Sequence, residues 1–364
     1  MTFSKSPLFV SSTLFLLLLG SALSGFGNLI IYVFFLMASV FYLLTGDSRD
    51  KMPKSLLPLA FCLFLYVVYS SFFALDIVTH VIYSSLYISC FLTTLFAFRF
   101  PQQAVFLLVC FAFALSALAL TGLFYPGGVV RFFIDSGIDT NYAGYFLVAG
   151  IFSLLKYRFY RPGLNKIMVS VLFISGMFFD SRSFVLACFF MFFLMYWEKL
   201  RYGRSILVVG LLGVIYALFS FINENPAIVS AIISALNFDL DLSGVVADKR
   251  RLELFATGIQ AVKEFFPFGT GLGPGNYKAA IMASEIEVSP SLRLGYPHNY
   301  YISAVAQAGV AGVLLVTYLT VMSIQGRRAF PVIAALVLGL AFNEYIGISA
   351  LWIFIGVYLN ERAI

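Results

Sequence analysis

The sequence predicts an all-α polytopic membrane protein of about twelve transmembrane helices, and three observations carry that expectation. The first is composition: 61% of the 364 residues are hydrophobic and only 11% are charged. Soluble domains carry about a quarter charged residues, so a water-soluble globule is excluded. The second is run length. Apolar stretches such as "LFVSSTLFLLLLGSALSGF" and "NLIIYVFFLMASVFYLL" recur along the chain, near the roughly 20 residues a helix needs to cross a bilayer. The third is the placement of lysine and arginine, which orients those runs.

The spans centre near residues 16, 36, 65, 89, 114, 149, 173, 190, 214, 308, 335 and 352. The first could pass for a signal peptide. It lacks a small-residue cleavage site and a second apolar run follows within a few residues, so it is read as a helix. With the amino terminus inside, the inner connections hold Lys5, Arg49, Lys51, Lys54, Arg99, Lys156, Arg158, Arg161, Lys166, Lys199, Arg201, Arg204, Arg327, Arg328 and Arg362. These are 15 of the 23 basic residues, so the net charge of +6 follows the positive-inside rule and calls for no nucleic-acid partner. An even number of spans puts both termini in the cytoplasm. The four cysteines lie inside apolar runs without a CxxC or Cys/His pattern, and neither a disulfide nor a metal site is expected.

The polar residues that remain gather on the outer face. A 74-residue segment, 224–297, separates the ninth and tenth spans and carries 8 of the 17 acidic residues. That length is far beyond an ordinary connection, so 224–297 is read as a small folded subdomain within a single membrane domain, 1–364. Inside it, "KRRLELFATGIQAVKEFF" places Leu252, Phe255, Ile259, Val262 and Phe266 on one helical face, suited to lie on the membrane or cap the bundle. A shorter outer loop runs from Pro126 to Asn141. The turn "GTGLGPGN" has glycines at 269, 271, 273 and 275. No strand precedes it and Pro274 is expected to block entry into a helix, so a dinucleotide fold is rejected. The turn reads either as a backbone anion nest or as a plain connector.

Few residues are equipped for chemistry. His298, one of two histidines, follows Pro297 at the start of the tenth span, where a helix amino terminus keeps the imidazole neutral and able to accept a proton. His80 has no polar company and reads as interfacial. Arg182, in "GMFFDSRSFVLACFF", is embedded between apolar runs, a costly placement unless it is paired or faces a wet cavity. It reads either as an ion pair with Asp180 or as an anion-recognising guanidinium. Arg131, Lys249, Arg250 and Arg251 are further exceptions to the inside bias, and together they point to an anionic ligand near the outer leaflet. Asn299 is placed to fix the histidine or a sugar hydroxyl. Tyr296, Tyr300 and Tyr301 suit either stacking on sugars or anchoring at the interface.

Several of these stretches, in order, resemble the O-antigen ligase and O-antigen polymerase superfamily. "KRRLELFATGIQAVKEFFPFGTGLGPGNY" followed by "YPHNYYISAVAQAGVAGVLL" resembles its core segment: an arginine-led helix, a P-x-x-G-x-G-x-G turn, then HN opening a span that ends in a-x-x-G-x-x-G. "DSRSFVLA" and "DTNYAGYF" are similar to two earlier elements. Phe255 stands where tryptophan is common, Thr140 where proline is common and Tyr301-Ile302 where leucine often follows, all packing positions. The resemblance implies a GT-C-like glycosyltransferase of the bacterial inner membrane, working at the periplasmic face on undecaprenyl-diphosphate-linked oligosaccharide. It implies an inverting, metal-independent reaction with no cofactor, in which His298, Arg182 and Arg251 are catalytic. Arg131, Asn141, Arg250, Gly271, Gly273, Gly275, Asn299 and Tyr300 are then substrate-binding. The acceptor is another lipid-linked repeat for a polymerase, the expectation held here on the compact chain and its 42 phenylalanines and 21 tyrosines, or lipid A–core for a ligase. Membrane lipids and a chain-length regulator are the accompanying partners. A flippase is the reading from another class. It expects inverted repeats and mid-membrane charges, and the sequence displays neither.

Overall fold

The computed structural model describes residues 54–136, 140–157, 162–179, 182–197, 246–284, 286, 297, 299–324, 330–340 and 349–363. Among the described residues the chain is helical, without strands. After a 3-10 turn at Lys54–Leu56 come α1 (Leu57–Ser71), α2 (Ile77–Arg99), α3 (Pro101–Gly122), α4 (Gly128–Asp135), α5 (Thr140–Tyr157), α6 (Pro162–Met177) and α7 (Arg182–Trp197). Beyond these lie α8 (Val246–Phe265), α9 (Pro274–Ala283), α10 (Tyr300–Ile324), α11 (Phe330–Gly339) and α12 (Ser349–Ala363). Four segments are long and apolar enough to cross a membrane: Lys54–Ser71, Ile77–Arg99, Pro101–Gly122 and Tyr300–Ser323. Shorter apolar helices occupy Ala143–Tyr157, Pro162–Met177, Phe184–Tyr196 and Ala350–Asn360. The spans expected near residues 16, 36 and 214 lie outside the described residues.

Helix boundaries follow local chemistry. Pro58 and Pro101 sit in the first turns of α1 and α3, where the missing N–H has no intrahelical partner to lose. Phe100, ahead of Pro101, leaves helical geometry at φ −130° and ψ 60° and so divides α2 from α3. Asp76 caps α2: its carboxylate accepts the Thr79 N–H at 3.1 Å and the Thr79 hydroxyl at 2.6 Å. Those two donors hold the Asp76 carboxyl below the usual carboxylate range, the hydroxyl contributing most. The cap is therefore complete above that range and is lost only as pH falls through the lowered value.

Packing sorts the helices by how apolar they are all round. Residues Ala143 to Leu154 of α5 and Ala350 to Leu359 of α12 are buried on every side, the mark of helices enclosed by others. α5 lies against α3, α6 and α7, while α12 lies along α2. On α1, by contrast, Phe61 and Phe64 face outward, as lipid-facing residues do in a medium as apolar as they are. Segments assigned to one side meet one another. At one end, Asn360 Nδ2 donates to the Phe98 carbonyl at 2.8 Å, joining the carboxy-terminal ends of α12 and α2. At the other, the α1–α2 turn touches the glycine turn, and the Phe133 ring of α4 meets Phe179 beside α7 at 4.9 Å.

One expectation is corrected here. The stretch from Pro126 to Asn141 is not wholly loop: it contains α4, and Asn141 falls in the first turn of α5. α8 forms as expected, and it packs on its neighbours through a face other than its apolar stripe. Leu254, Thr257, Gly258 and Ala261 are buried, whereas Phe255, Ile259 and Val262 are half-buried and Phe266 is exposed. The reason is distance. A Cβ placed on Gly258 would lie 2.7 Å from Pro297 Cγ and 2.8 Å from Ile302 Cγ2, so the small-residue stripe is the only face that lets α8 lie this close to α10.

Candidate functional site

The site is built on a break in α10. Ala308 (φ −130°, ψ 15°) and Gly309 (φ 49°, ψ −124°) are not helical. In a straight helix residues eight apart lie about 12 Å apart along the axis, but here Gly312 packs directly on the Ala304 carbonyl. The tenth span is therefore not one helix, as the sequence suggested, but two: Tyr300 to Gln307, then Val310 onward, folded back on each other. The turn at Gly309 has a backbone geometry that a side chain rarely tolerates, which a continuous apolar run conceals.

A break inside a bundle strands backbone groups, and the glycine turn satisfies them. The Thr270 N–H donates to the Ala306 carbonyl and the Gly271 N–H to the Gln307 carbonyl, both at 2.9 Å. The Val310 N–H, at the start of the second half, donates to the Pro267 carbonyl at 3.0 Å. Buried Gln307 adds its side chain, whose Oε1 accepts the Gly273 N–H at 2.9 Å. Gly269, Gly271 and Gly273 all adopt φ near +90°, so the alternating glycines serve one conformation. The N–H groups of Thr270, Gly271 and Gly273 are thus committed to α10, and the nest reading is corrected to a splint. Pro274 is corrected too. It starts α9 at its first position, where proline is well suited.

The splint is latched to the α1–α2 turn. Asn276 is fully buried and accepts the Asp76 N–H at 2.6 Å. Its Nδ2 donates to the Asp76 carbonyl at 3.0 Å and the Leu272 carbonyl at 2.7 Å. The Tyr69 hydroxyl donates to the Pro267 carbonyl at 3.1 Å. Asn276→Ala removes three hydrogen bonds and orphans the Asp76 N–H, and a loss of about 3 kcal/mol is expected. The thermal midpoint of the detergent-solubilised protein measures it, with Asn276→Asp, which keeps the acceptor, falling between.

The first turn of α10 carries the candidate chemistry. Asn299 caps it, its Oδ1 accepting the Ile302 N–H at 3.1 Å and its carbonyl the Ser303 N–H at 3.0 Å. The Ser303 hydroxyl donates back to the Pro297 carbonyl at 3.2 Å. His298, flanked by these fixed neighbours, lies outside the described residues. Tyr300 is buried among Tyr66, Tyr87 and Cys90 with no open face for a sugar to stack on, and the Tyr301 hydroxyl donates to the Val337 carbonyl.

The other candidate residues fall on neighbouring elements. Arg250 and Arg251 lie in α8, whose Gly258 abuts Pro297; Arg182 opens α7, which packs on α11. The side chains of Arg182, Arg250, Arg251 and Asn141 lie outside the described residues. Arg131 is exposed and its Nε pairs with Asp135 at 3.0 Å, a carboxylate that also accepts the Tyr125 hydroxyl at 3.1 Å. His80 is buried. Gly271, Gly273 and Gly275 meet the Asn299 helix through Gln307 and the α2 start through Asp76 and Thr79. Gln307, Asn276 and Asp76 were missed in the sequence. Their signal was faint: a lone amide in an apolar run, and an Asp-x-x-Thr cap.

The apolar helices and the splinted break define an integral membrane protein with a polar unit assembled where helix ends meet. Residues 167–317, from within α6 to within α10, match the family model for O-Antigen ligase, which supports the resemblance to the O-antigen ligase and polymerase superfamily. Its members are membrane glycosyltransferase-like enzymes that use lipid-linked glycans. A comparison with curated proteins returned no match.

Proposed function

We propose that this protein is an O-antigen polymerase, transferring an undecaprenyl-diphosphate-linked glycan onto another lipid-linked repeat at the periplasmic face of the inner membrane. The observation that carries the reading is that the family-matched segment contains the splinted unit, with α8 crossing α10 at Pro297 beside the candidate base. α7, which opens at Arg182, reaches the same helix through α11, which packs on α7 and takes the Tyr301 hydroxyl.

In this reading the bond between the anomeric carbon and the diphosphate breaks as an acceptor hydroxyl attacks from the opposite face, inverting the centre. Arg182 and Arg251 stabilise the charge that develops on the leaving diphosphate. His298 takes the proton of the attacking hydroxyl. Asn299 is committed through Oδ1 to capping, so it contributes by fixing the backbone beside the histidine. Arg131, held by Asp135, contributes least. A ligase delivering the glycan to lipid A–core is the second reading, favoured by the match to an O-Antigen ligase family.

The test is the surface lipopolysaccharide of a deletion strain complemented with Arg182→Ala. Loss of the ladder with a single repeat left on the core means polymerase. No repeat at all means ligase, and an unchanged ladder refutes the role of Arg182.

A further inference from the structure

We propose that the turn Phe266–Pro267–Phe268 is a wedge set into the lipid beside the end of α1, and that it anchors the splint of α10 to the bilayer. Its composition is the first sign. Between Glu264 and Thr270 the chain reads "FFPFG", with no charged or hydrogen-bonding side chain. Turns that face water ordinarily draw on serine, asparagine and aspartate.

Exposure is the second. Phe266 and Phe268 are 50% and 54% exposed, and Phe72, Leu75, Ile77 and Val78, where α1 gives way to α2, are more exposed still. The two groups adjoin. The Phe268 ring lies 5.2 Å from that of Phe73, which lies 5.4 Å from that of Tyr69 on α1. In water a contiguous apolar patch of this kind would be a liability. Here it continues a lipid-facing surface: Phe61, Phe64, Val68 and Phe72 follow one another at spacings of three and four along one side of α1. Length agrees. The span Lys54–Ser71 has 18 residues, about 27 Å of helix, against a hydrocarbon core of about 30 Å. With Lys54 at one boundary, the remaining thickness is matched by residues beyond the helix end, Phe72 and the turn packed beside it.

Pro267 stands between the two exposed rings, and its carbonyl accepts both the Val310 N–H at 3.0 Å and the Tyr69 hydroxyl at 3.1 Å. The same three residues therefore face lipid with their rings and hold α10 with their backbone. Lifting the turn out of the leaflet would carry two phenyl rings into water, so the break in α10 keeps a fixed depth. Lys263 and Glu264, exposed just ahead of the turn, stand on its water side.

Fluorescence quenching reads the depth directly. Phe266→Trp and Phe268→Trp each put an indole on an exposed ring position. Phe64→Trp in mid-span and Glu264→Trp ahead of the turn serve as references. The full-length variants are reconstituted in phosphatidylcholine vesicles whose acyl chains are brominated either near the headgroup or near the chain ends. Subtracting the wild type removes the emission of Trp197 and Trp352, the two native tryptophans. The indoles at 266 and 268 are expected to lose most of their emission to bromine near the headgroup and less to bromine near the chain ends. Phe64→Trp is expected to show the reverse order, and Glu264→Trp to be quenched by aqueous iodide alone. Indoles at 266 and 268 that respond to iodide and not to brominated lipid overturn the wedge. Quenching by neither overturns it too, because the patch is then covered by another part of the chain.

Discussion

Gly309→Ala is expected to abolish the folded, active protein. At φ 49° and ψ −124° the residue occupies backbone space that favours glycine. An added methyl would also run into the Pro267 carbonyl, the acceptor that satisfies Val310 at the start of the second half of the helix. The side chain cannot be relieved by a rotamer, because a Cβ has none, and the obstacle is backbone, already fixed by the splint. Strain and the lost hydrogen bond together set the cost at about 3–5 kcal/mol, a large share of the marginal stability of a folded chain. Size-exclusion chromatography of a fluorescent fusion, with the thermal midpoint of any surviving monomer, measures it. Val310→Ala, two atoms from the same break but free of both problems, is expected to remain folded and active. A Gly309→Ala protein with an unshifted midpoint would mean that α10 does not fold back here.

His298→Ala carries the largest expected effect on rate. A positioned base contributes about a hundredfold to ten-thousandfold, and this histidine stands between Pro297, buried against α8, and Asn299, committed to the cap. The hydrogen bonds that hold those neighbours run through Asn299 and Ser303. The expected result is a kcat lowered within that range in a protein with wild-type stability and KM. A rate loss accompanied by a lowered melting midpoint would reassign the residue to structure.

Much of the architecture was legible because membranes impose a coarse code. Bilayer-length apolar runs and the alternation of basic loops locate helices without any knowledge of packing. The same code hides what made the site. "AQAGVAG" scores as continuous apolar helix, so the reversal at Gly309 was invisible to periodicity; only the two glycines at 309 and 312 hinted at close backbone approach. "GTGLGPGN" was correctly marked as special, but a glycine turn that binds an anion and one that splints a helix have the same composition. What distinguishes them is where the N–H groups go, and for Thr270, Gly271 and Gly273 that is fixed by Ala306 and Gln307, 34 to 36 positions away. The contact face of α8 was hidden for a related reason. Large apolar residues mark where a helix is apolar, whereas α8 comes closest to Pro297 and Ile302 at Gly258, its smallest residue.

The central claim is tested most directly by reconstitution. The purified protein is placed in liposomes with the lipid-linked glycan extracted from its own deletion strain, without nucleotide, ion gradient or partner protein, and the glycan length is followed by gel. Lipid-linked chains longer than one repeat, formed by the wild type and not by His298→Ala, are the predicted result. Glycan that crosses the bilayer at unchanged length, or elongates equally well with the histidine removed, would contradict the account.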